Sequence, residues 1–86
     1  MTLVAEDKEC DGDESFIGRF TSVEECAKRC AYVSSMFIFG KTSDRCNTDE
    51  GCCCVCEYAA AADGTCTQVS NANYNLYKVS KSFDSL

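Results

Sequence analysis

The chain has 86 residues, of which nine are cysteines, and its fourteen acidic and eight basic residues give a net charge of −6. A single domain of this length has a small core, and cysteine at this density predicts a disulfide-rich scaffold in an oxidising compartment. The acidic balance excludes nucleic acid as an expected partner, because phosphate binding requires a basic surface.

The first residues, MTLVAEDKEC, lack the basic and apolar regions of a secretory signal. We therefore expect a processed or excised domain, secreted or held in another oxidising lumen, whose export signal lay upstream or was replaced by Met1. The longest apolar runs, at 36–39 and 59–62, are too short to cross a bilayer, so no direct membrane insertion is expected. Within the acidic run EDKECDGDE at 6–14, the segment DGDE at 11–14 could offer oxygen ligands to Ca²⁺ but lacks the rest of an EF-hand loop. A solvated loop is favoured there, and no metal is expected.

One helix is predicted at about 23–33. Ser22 and Glu25 form a capping box, in which the hydroxyl accepts a hydrogen bond from the backbone N–H of residue 25 and the carboxylate reaches back. Apolar and small residues recur on one face, opposite the charged ones. This inward face comprises Val23, Cys26, Ala27, Cys30 and Ala31.

The rest of the chain is predicted as short strands separated by turns. The fold class is therefore α+β, a small disulfide-rich domain with one helix packed on a short antiparallel sheet. The expected elements are strands at 36–39, 52–58, 66–69 and 75–79, a polar loop at 41–50 and a turn at Asp63-Gly64. The tail at 80–86 is expected to be frayed, with no assigned partner for Phe83.

The segment GCCCVCE places four cysteines in five positions. If it is a strand, Cys52, Cys54 and Cys56 share one face. Cys53 and Val55 then point to the other face. Should the first face pack on the helix, its sulfurs come within disulfide reach of the helix cysteines.

Nine cysteines cannot all pair within one chain, and Cys53 is predicted to be the odd one. It is either buried as an inert apolar side chain or exposed, where it could contact a partner covalently or non-covalently. The predicted disulfide cysteines are Cys10, Cys26, Cys30, Cys46, Cys52, Cys54, Cys56 and Cys66. A bridge between Cys56 and Cys66 across the Asp63-Gly64 turn is one candidate pair.

The helix carries ECAKRC at 25–30, the aromatic strand MFIF follows at 36–39, cysteine-bearing strands come next, and YNLYK closes the pattern at 74–78. In this order the elements resemble the PAN/apple superfamily over roughly 10–79. The resemblance implies a single PAN/apple-like domain that acts as an extracellular adhesion module, with carbohydrate or protein binding and no catalysis.

The resemblance also implies a disulfide pattern. In PAN/apple domains the helix cysteines bridge to the central sheet, usually in a nested arrangement. For this chain that pattern implies Cys30 joined to Cys46. It implies Cys26 joined to Cys52 or Cys54.

Enzymatic interpretations find little support. The sequence has no histidine, which excludes Ser-His and Cys-His dyads and His-ligated metal centres. Cys53 and Cys56 form a Cys-x-x-Cys, but redox enzymes normally place this motif at the start of a helix. A zinc or copper thiolate cluster would lack two separated Cys-x-x-Cys knuckles. We expect no enzyme activity and no cofactor, with thiol-redox and metal-thiolate proteins as less favoured alternatives.

Two functions are retained. The first is a recognition module that binds a glycan or a protein, and the second is a small structural subunit docked in a larger extracytosolic assembly. A recognition site would combine aromatic with polar hydrogen-bonding side chains. The candidates are Lys41, Arg45, Tyr58, Asn71, Asn73, Tyr74 and Asn75. For each, the alternative is a structural role, in the core, in a turn or as a solvated charge.

Overall fold

The computed structural model describes residues 1–79, which form one helix and six strands. In chain order these are β1 (Thr2–Cys10), β2 (Ser15–Phe20), α1 (Val23–Cys30), β3 (Met36–Gly40), β4 (Cys46–Asn47), β5 (Gly51–Cys56) and β6 (Gln68–Lys78). The strands form an antiparallel sheet in the order β1-β6-β3-β5-β2, with β4 also paired to β5. The predicted α+β class is confirmed. The tail at 80–86, with Phe83, lies outside the described residues.

Helix α1 begins where the sequence predicts and ends earlier. The Ser22 hydroxyl accepts a hydrogen bond from the Glu25 N–H at 3.2 Å, while the Glu25 carboxylate bonds an arginine one turn later instead of reaching back. The predicted end at residue 33 is wrong. The Cys30 carbonyl accepts from the N–H groups of both Val33 and Ser34, at 2.9 and 2.8 Å, which closes the last turn and directs the chain towards β3.

The first two strands, β1 and β2, were not predicted from the sequence. β1 contains the run EDKE, and such residues are depleted in strands, so local preference argues against it. The segment forms a strand because it pairs with β6 in antiparallel fashion, from Thr2 opposite Lys78 to Cys10 opposite Gln68. Residues before position 10 therefore belong to the sheet. The strands predicted at 66–69 and 75–79 belong to one long strand, β6.

The β1–β6 ribbon bends sharply near its middle. Asp7 alone lies opposite residues 71–74 of β6 and adopts a positive φ of 58°. The bend returns the end of β1 to the centre of the sheet. There the Cys10 N–H donates to Glu57 Oε2 at 2.5 Å, and Cys10 Sγ lies 3.9 Å from Met36 Sδ.

The sheet is buried on both faces. α1 covers one face, where Cys26, Ala27, Cys30, Phe37, Cys54 and Cys56 form one core cluster. The bent ribbon covers the other face, where the cluster comprises Cys10, Met36, Ile38, Cys53, Val55, Tyr74 and Leu76. β5 lies between the two clusters, and all six of its residues are buried. Alternate side chains of β5 therefore enter opposite cores, as the strand pattern predicts.

Four disulfides reinforce this arrangement: Cys10–Cys66, Cys26–Cys54, Cys30–Cys56 and Cys46–Cys52. Two of them join α1 to β5, one joins β4 to β5, and one joins the end of β1 to the segment before β6. The disulfides indicate an oxidising compartment. In the described part of the chain, no helix has the length and apolar character needed to cross a membrane.

Two expected pairings are wrong. Cys30 bonds Cys56 rather than Cys46, because β4 places Cys46 directly opposite Cys52. Cys66 bonds Cys10 rather than Cys56, because the bent ribbon returns the end of β1 to the segment that precedes β6. Cys26 bonds Cys54, which is one of the two partners expected for it.

Candidate functional site

The ligand residues proposed from the sequence do not form one surface. Lys41 follows the end of β3, whereas Tyr58 lies beyond its start, because the neighbouring Glu57 N–H donates to the Met36 carbonyl. A strand of this length separates its two ends by about 13 Å. Tyr58 is therefore apart from the other candidates.

The three asparagines of this set support the bend in the β1–β6 ribbon. The Asn71 side chain donates to Glu9 Oε2 at 2.8 Å and accepts from the Asn73 N–H at 3.1 Å. Asn75 Oδ1 accepts from the Asp7 N–H at 3.2 Å, and Asn73 Oδ1 accepts from a threonine hydroxyl at 2.9 Å. Two backbone N–H groups of the bend are satisfied in this way, and all three asparagines bond other groups of the chain, which favours the structural alternative for them.

Lys41, Arg45 and Tyr74 also make internal contacts. The Lys41 ammonium pairs with the Asp7 carboxylate, and the Arg45 carbonyl accepts from the Cys53 N–H at 2.7 Å. Tyr74 is only 9% exposed. Burial raises the pKa of Tyr74, the nearby Cys53 raises it further, and Arg45 lowers it. Tyr74 thus belongs to the core, and Tyr58, at 47% exposure, is the more accessible of the two tyrosines.

Cys53 is unpaired and buried. Its side chain lies in the cluster covered by the bent ribbon, at 6% exposure, which corresponds to the first of the two fates considered for it. Cys56 enters the opposite core and bonds Cys30, so the two cysteines of the Cys-x-x-Cys motif do not face each other. The other eight cysteines are all in disulfides and offer no thiolates for a zinc or copper cluster.

Three carboxylates meet beside the end of β5. Glu9, Glu14 and Glu57 each place one oxygen within 4.8 Å of the other two. Glu57 is fully buried, Glu9 is half-buried and Glu14 is exposed, so the cluster opens to solvent on one side. Glu57 Oε2 accepts from the Cys10 N–H, but Glu57 Oε1 has no hydrogen-bond partner among the described residues.

The electrostatics of this cluster are unfavourable for three free carboxylates. Burial raises the pKa of Glu57 to about 8, and the neighbouring Glu14 carboxyl group adds to that rise. Burial also raises the pKa of Glu14. Two unit charges about 5 Å apart repel by about 3 kcal/mol at an effective dielectric constant of about 20. The cluster therefore requires a proton or a cation.

Of this cluster, only Glu14 lies in the segment at 11–14 that could offer oxygen ligands to calcium, and neither Glu9 nor Glu57 was predicted as a ligand. Glu57 is remote from the other two in the chain. The β2–β5 register places Ser15 opposite Cys56, which sets the residues just beyond them, Glu14 and Glu57, side by side. The available local signal was a single carboxylate directly after a fully apolar strand.

The outermost strand β2 exposes apolar side chains. Phe16 is 59% exposed and Ile17 is 36% exposed. β2 pairs with β5 on one side, and no strand within residues 1–79 pairs with its other side. The one charged side chain of β2, Arg19, turns inward and donates to the carbonyls of Gly51 and Asp44, each at 3.1 Å. This edge is bent by a register shift but lacks the outward charges that commonly prevent strand pairing.

No match is found when the chain is compared with protein-family models, with curated proteins or with solved structures. The resemblance to PAN/apple domains therefore stays a prediction.

Proposed function

We propose that this protein is a non-enzymatic, extracellular recognition module that binds a protein partner along the free edge of β2. The observation that carries the proposal is an unpaired strand edge bearing the exposed side chains of Phe16 and Ile17. An extended segment of a partner can add to such an edge, since backbone hydrogen bonds supply affinity and apolar side chains supply contact area.

The strand next to β2 in the sheet is cross-linked by disulfides. β2 pairs with β5, in which Cys52, Cys54 and Cys56 are each bonded to another element. A rigid edge loses little conformational entropy when a partner segment binds, and preorganisation of this kind raises affinity. The disulfides therefore support recognition as well as stability.

Protein is favoured over glycan as the ligand. Glycan recognition depends on polar side chains that are free to bond sugar hydroxyls, but Asn71, Asn73 and Asn75 bond other groups of this chain. The exposed surface of β2 offers apolar side chains and backbone groups instead. The oxidising compartment indicated by the disulfides is consistent with a secreted protein, which would meet its protein partner outside the cell.

The test compares two variants of the oxidised protein as baits in an extracellular extract. Phe16→Lys alters the β2 edge, and Val33→Lys is the matched control, because Val33 is also an exposed apolar residue at 56% but lies in the loop after α1. Thermal unfolding first establishes that both variants are folded. A recovered protein is then purified, and its affinity for each bait is measured.

We expect Phe16→Lys to weaken binding of the partner at least about tenfold, equivalent to about 1.4 kcal/mol, while Val33→Lys leaves the affinity for the partner unchanged. Equal affinity for both variants would contradict binding at β2. Binding on a glycan array without any protein partner would assign carbohydrate as the ligand instead.

A further inference from the structure

We propose that Glu9, Glu14 and Glu57 form a binding site for one calcium ion. This inference is independent of the partner proposed for β2. It departs from the sequence analysis, which expects no metal because the acidic segment alone lacks the ligands of a calcium loop.

The spacing of the three carboxylates suits a calcium ion. Calcium takes oxygen ligands at about 2.3–2.6 Å, so any two of its oxygen ligands lie at most about 4.6–5.2 Å apart. One oxygen from each of Glu9, Glu14 and Glu57 lies within 4.8 Å of the other two. A single ion can therefore contact all three carboxylates with little rearrangement.

The second observation is the unpartnered oxygen of Glu57. This residue is fully buried, and its Oε1 has no hydrogen-bond partner among the described residues. The Cys10 N–H holds the other oxygen, which fixes the orientation of the carboxylate beside Glu9 and Glu14. Buried carboxylate oxygens are normally paired, and a cation between the three groups would supply the missing partner.

The chemistry of the ligands selects among cations. All three ligands are carboxylate oxygens, which hard cations prefer, whereas zinc and copper favour nitrogen and sulfur. Magnesium requires near-ideal octahedral geometry, while calcium accepts an irregular set completed by water. Water can reach the side of the cluster on which Glu14 is exposed. Calcium sites of extracellular modules have dissociation constants of about 0.1–1 mM, which a site of three carboxylates can provide.

Calcium at this position would connect three separate parts of the fold. Glu9 belongs to the returning end of β1, Glu14 to the loop before β2, and Glu57 to the connection after β5. The ion would therefore hold the bent ribbon against the sheet, beside the Cys10–Cys66 disulfide. Because the unfolded chain does not bring these carboxylates together, binding should raise the temperature of unfolding.

The experiment titrates the oxidised full chain with CaCl₂ by calorimetry, at neutral pH and low ionic strength after removal of chelator. Wild-type protein should bind one ion with a dissociation constant of about 0.1–1 mM, and MgCl₂ should bind at least about tenfold more weakly. Glu57→Gln and Glu14→Gln should each lower the affinity for calcium at least about tenfold. Glu24→Gln, which removes an exposed carboxylate on α1, is the matched control and should bind as wild type does.

Glu14→Gln keeps the test valid even if the buried Glu57 variant fails to fold, because Glu14 is exposed. The proposal is overturned if wild-type protein shows no calcium binding up to about 10 mM, well above the range of extracellular sites. It is also overturned if Glu14→Gln retains wild-type affinity, or if magnesium binds as tightly as calcium. If no calcium binds, the carboxylates of the apoprotein hold a proton rather than an ion.

Discussion

The four disulfides should contribute unequally to stability, in the order of the chain segments that they close. Cys10–Cys66 spans 56 positions, whereas Cys46–Cys52 spans 6. The chain-entropy relation assigns the longer bridge about 4 kcal/mol and the shorter one about 2 kcal/mol. The double variant Cys10→Ala/Cys66→Ala should therefore lose about 2 kcal/mol more unfolding free energy than Cys46→Ala/Cys52→Ala.

These two variants are well matched, since each removes two sulfurs from the same protein. The assay is urea unfolding followed by far-UV circular dichroism, with thermal unfolding as a second readout. For a domain of this size, a difference of about 2 kcal/mol corresponds to at least about 8 °C in the unfolding temperature. Equal losses, or a larger loss for Cys46→Ala/Cys52→Ala, would refute the reasoning that the length of the closed chain segment decides how much each disulfide stabilises the fold.

Three further predictions concern single residues. Because burial raises the pKa of Glu57 from 4.5 to about 8, the folded chain retains this proton more tightly than the unfolded chain. With chelator present, the resulting stabilisation is complete below pH 4.5, declines above it and is lost above about pH 8. The unfolding free energy of wild type should therefore fall by up to a few kcal/mol over that range relative to Glu57→Gln. Parallel pH profiles for the two proteins would contradict this. Cys53 should resist alkylation in the folded protein and react only on unfolding, because it is 6% exposed, and rapid native labelling would place it at the surface. Gly51→Ala should destabilise more than Gly64→Ala. Both glycines have positive φ, but a Cβ at Gly51 would meet the Phe20 backbone at 2.7 Å, while one at Gly64 would meet a flexible lysine side chain. Urea unfolding midpoints in the reverse order would contradict the close contact between Gly51 and Phe20.

The helix and the central strand could be predicted because their signals are local. The Ser22 cap and the period of the apolar face identify α1 and direct Cys26 and Cys30 inward. Alternation along β5 separates Cys53 from the cysteines on either side of it, and the structure likewise leaves Cys53 unpaired. Neither inference requires knowledge of distant parts of the chain.

The bent ribbon and the carboxylate cluster could not be predicted, because both depend on non-local register. Strand β1 is rich in charged residues, and its order comes from pairing with β6. The bend at Asp7 exists because residues 71–74 bulge out opposite it, which no local pattern of β1 indicates. This bend brings Glu9 to Glu57, and the β2–β5 register places Glu14 beside them. The same bend decides the partner of Cys66.

The central claim is an oxidised domain in which β5 is bonded to its neighbours and keeps one buried thiol. The most direct test is mass spectrometric mapping of the unreduced protein, with stepwise reduction and alkylation to separate the adjacent cysteines of β5. The account predicts the bonds Cys10–Cys66, Cys26–Cys54, Cys30–Cys56 and Cys46–Cys52, with the thiol at Cys53. A thiol at Cys10 or Cys66, with Cys53 in a disulfide, would contradict the register of β5 and the fold built around it.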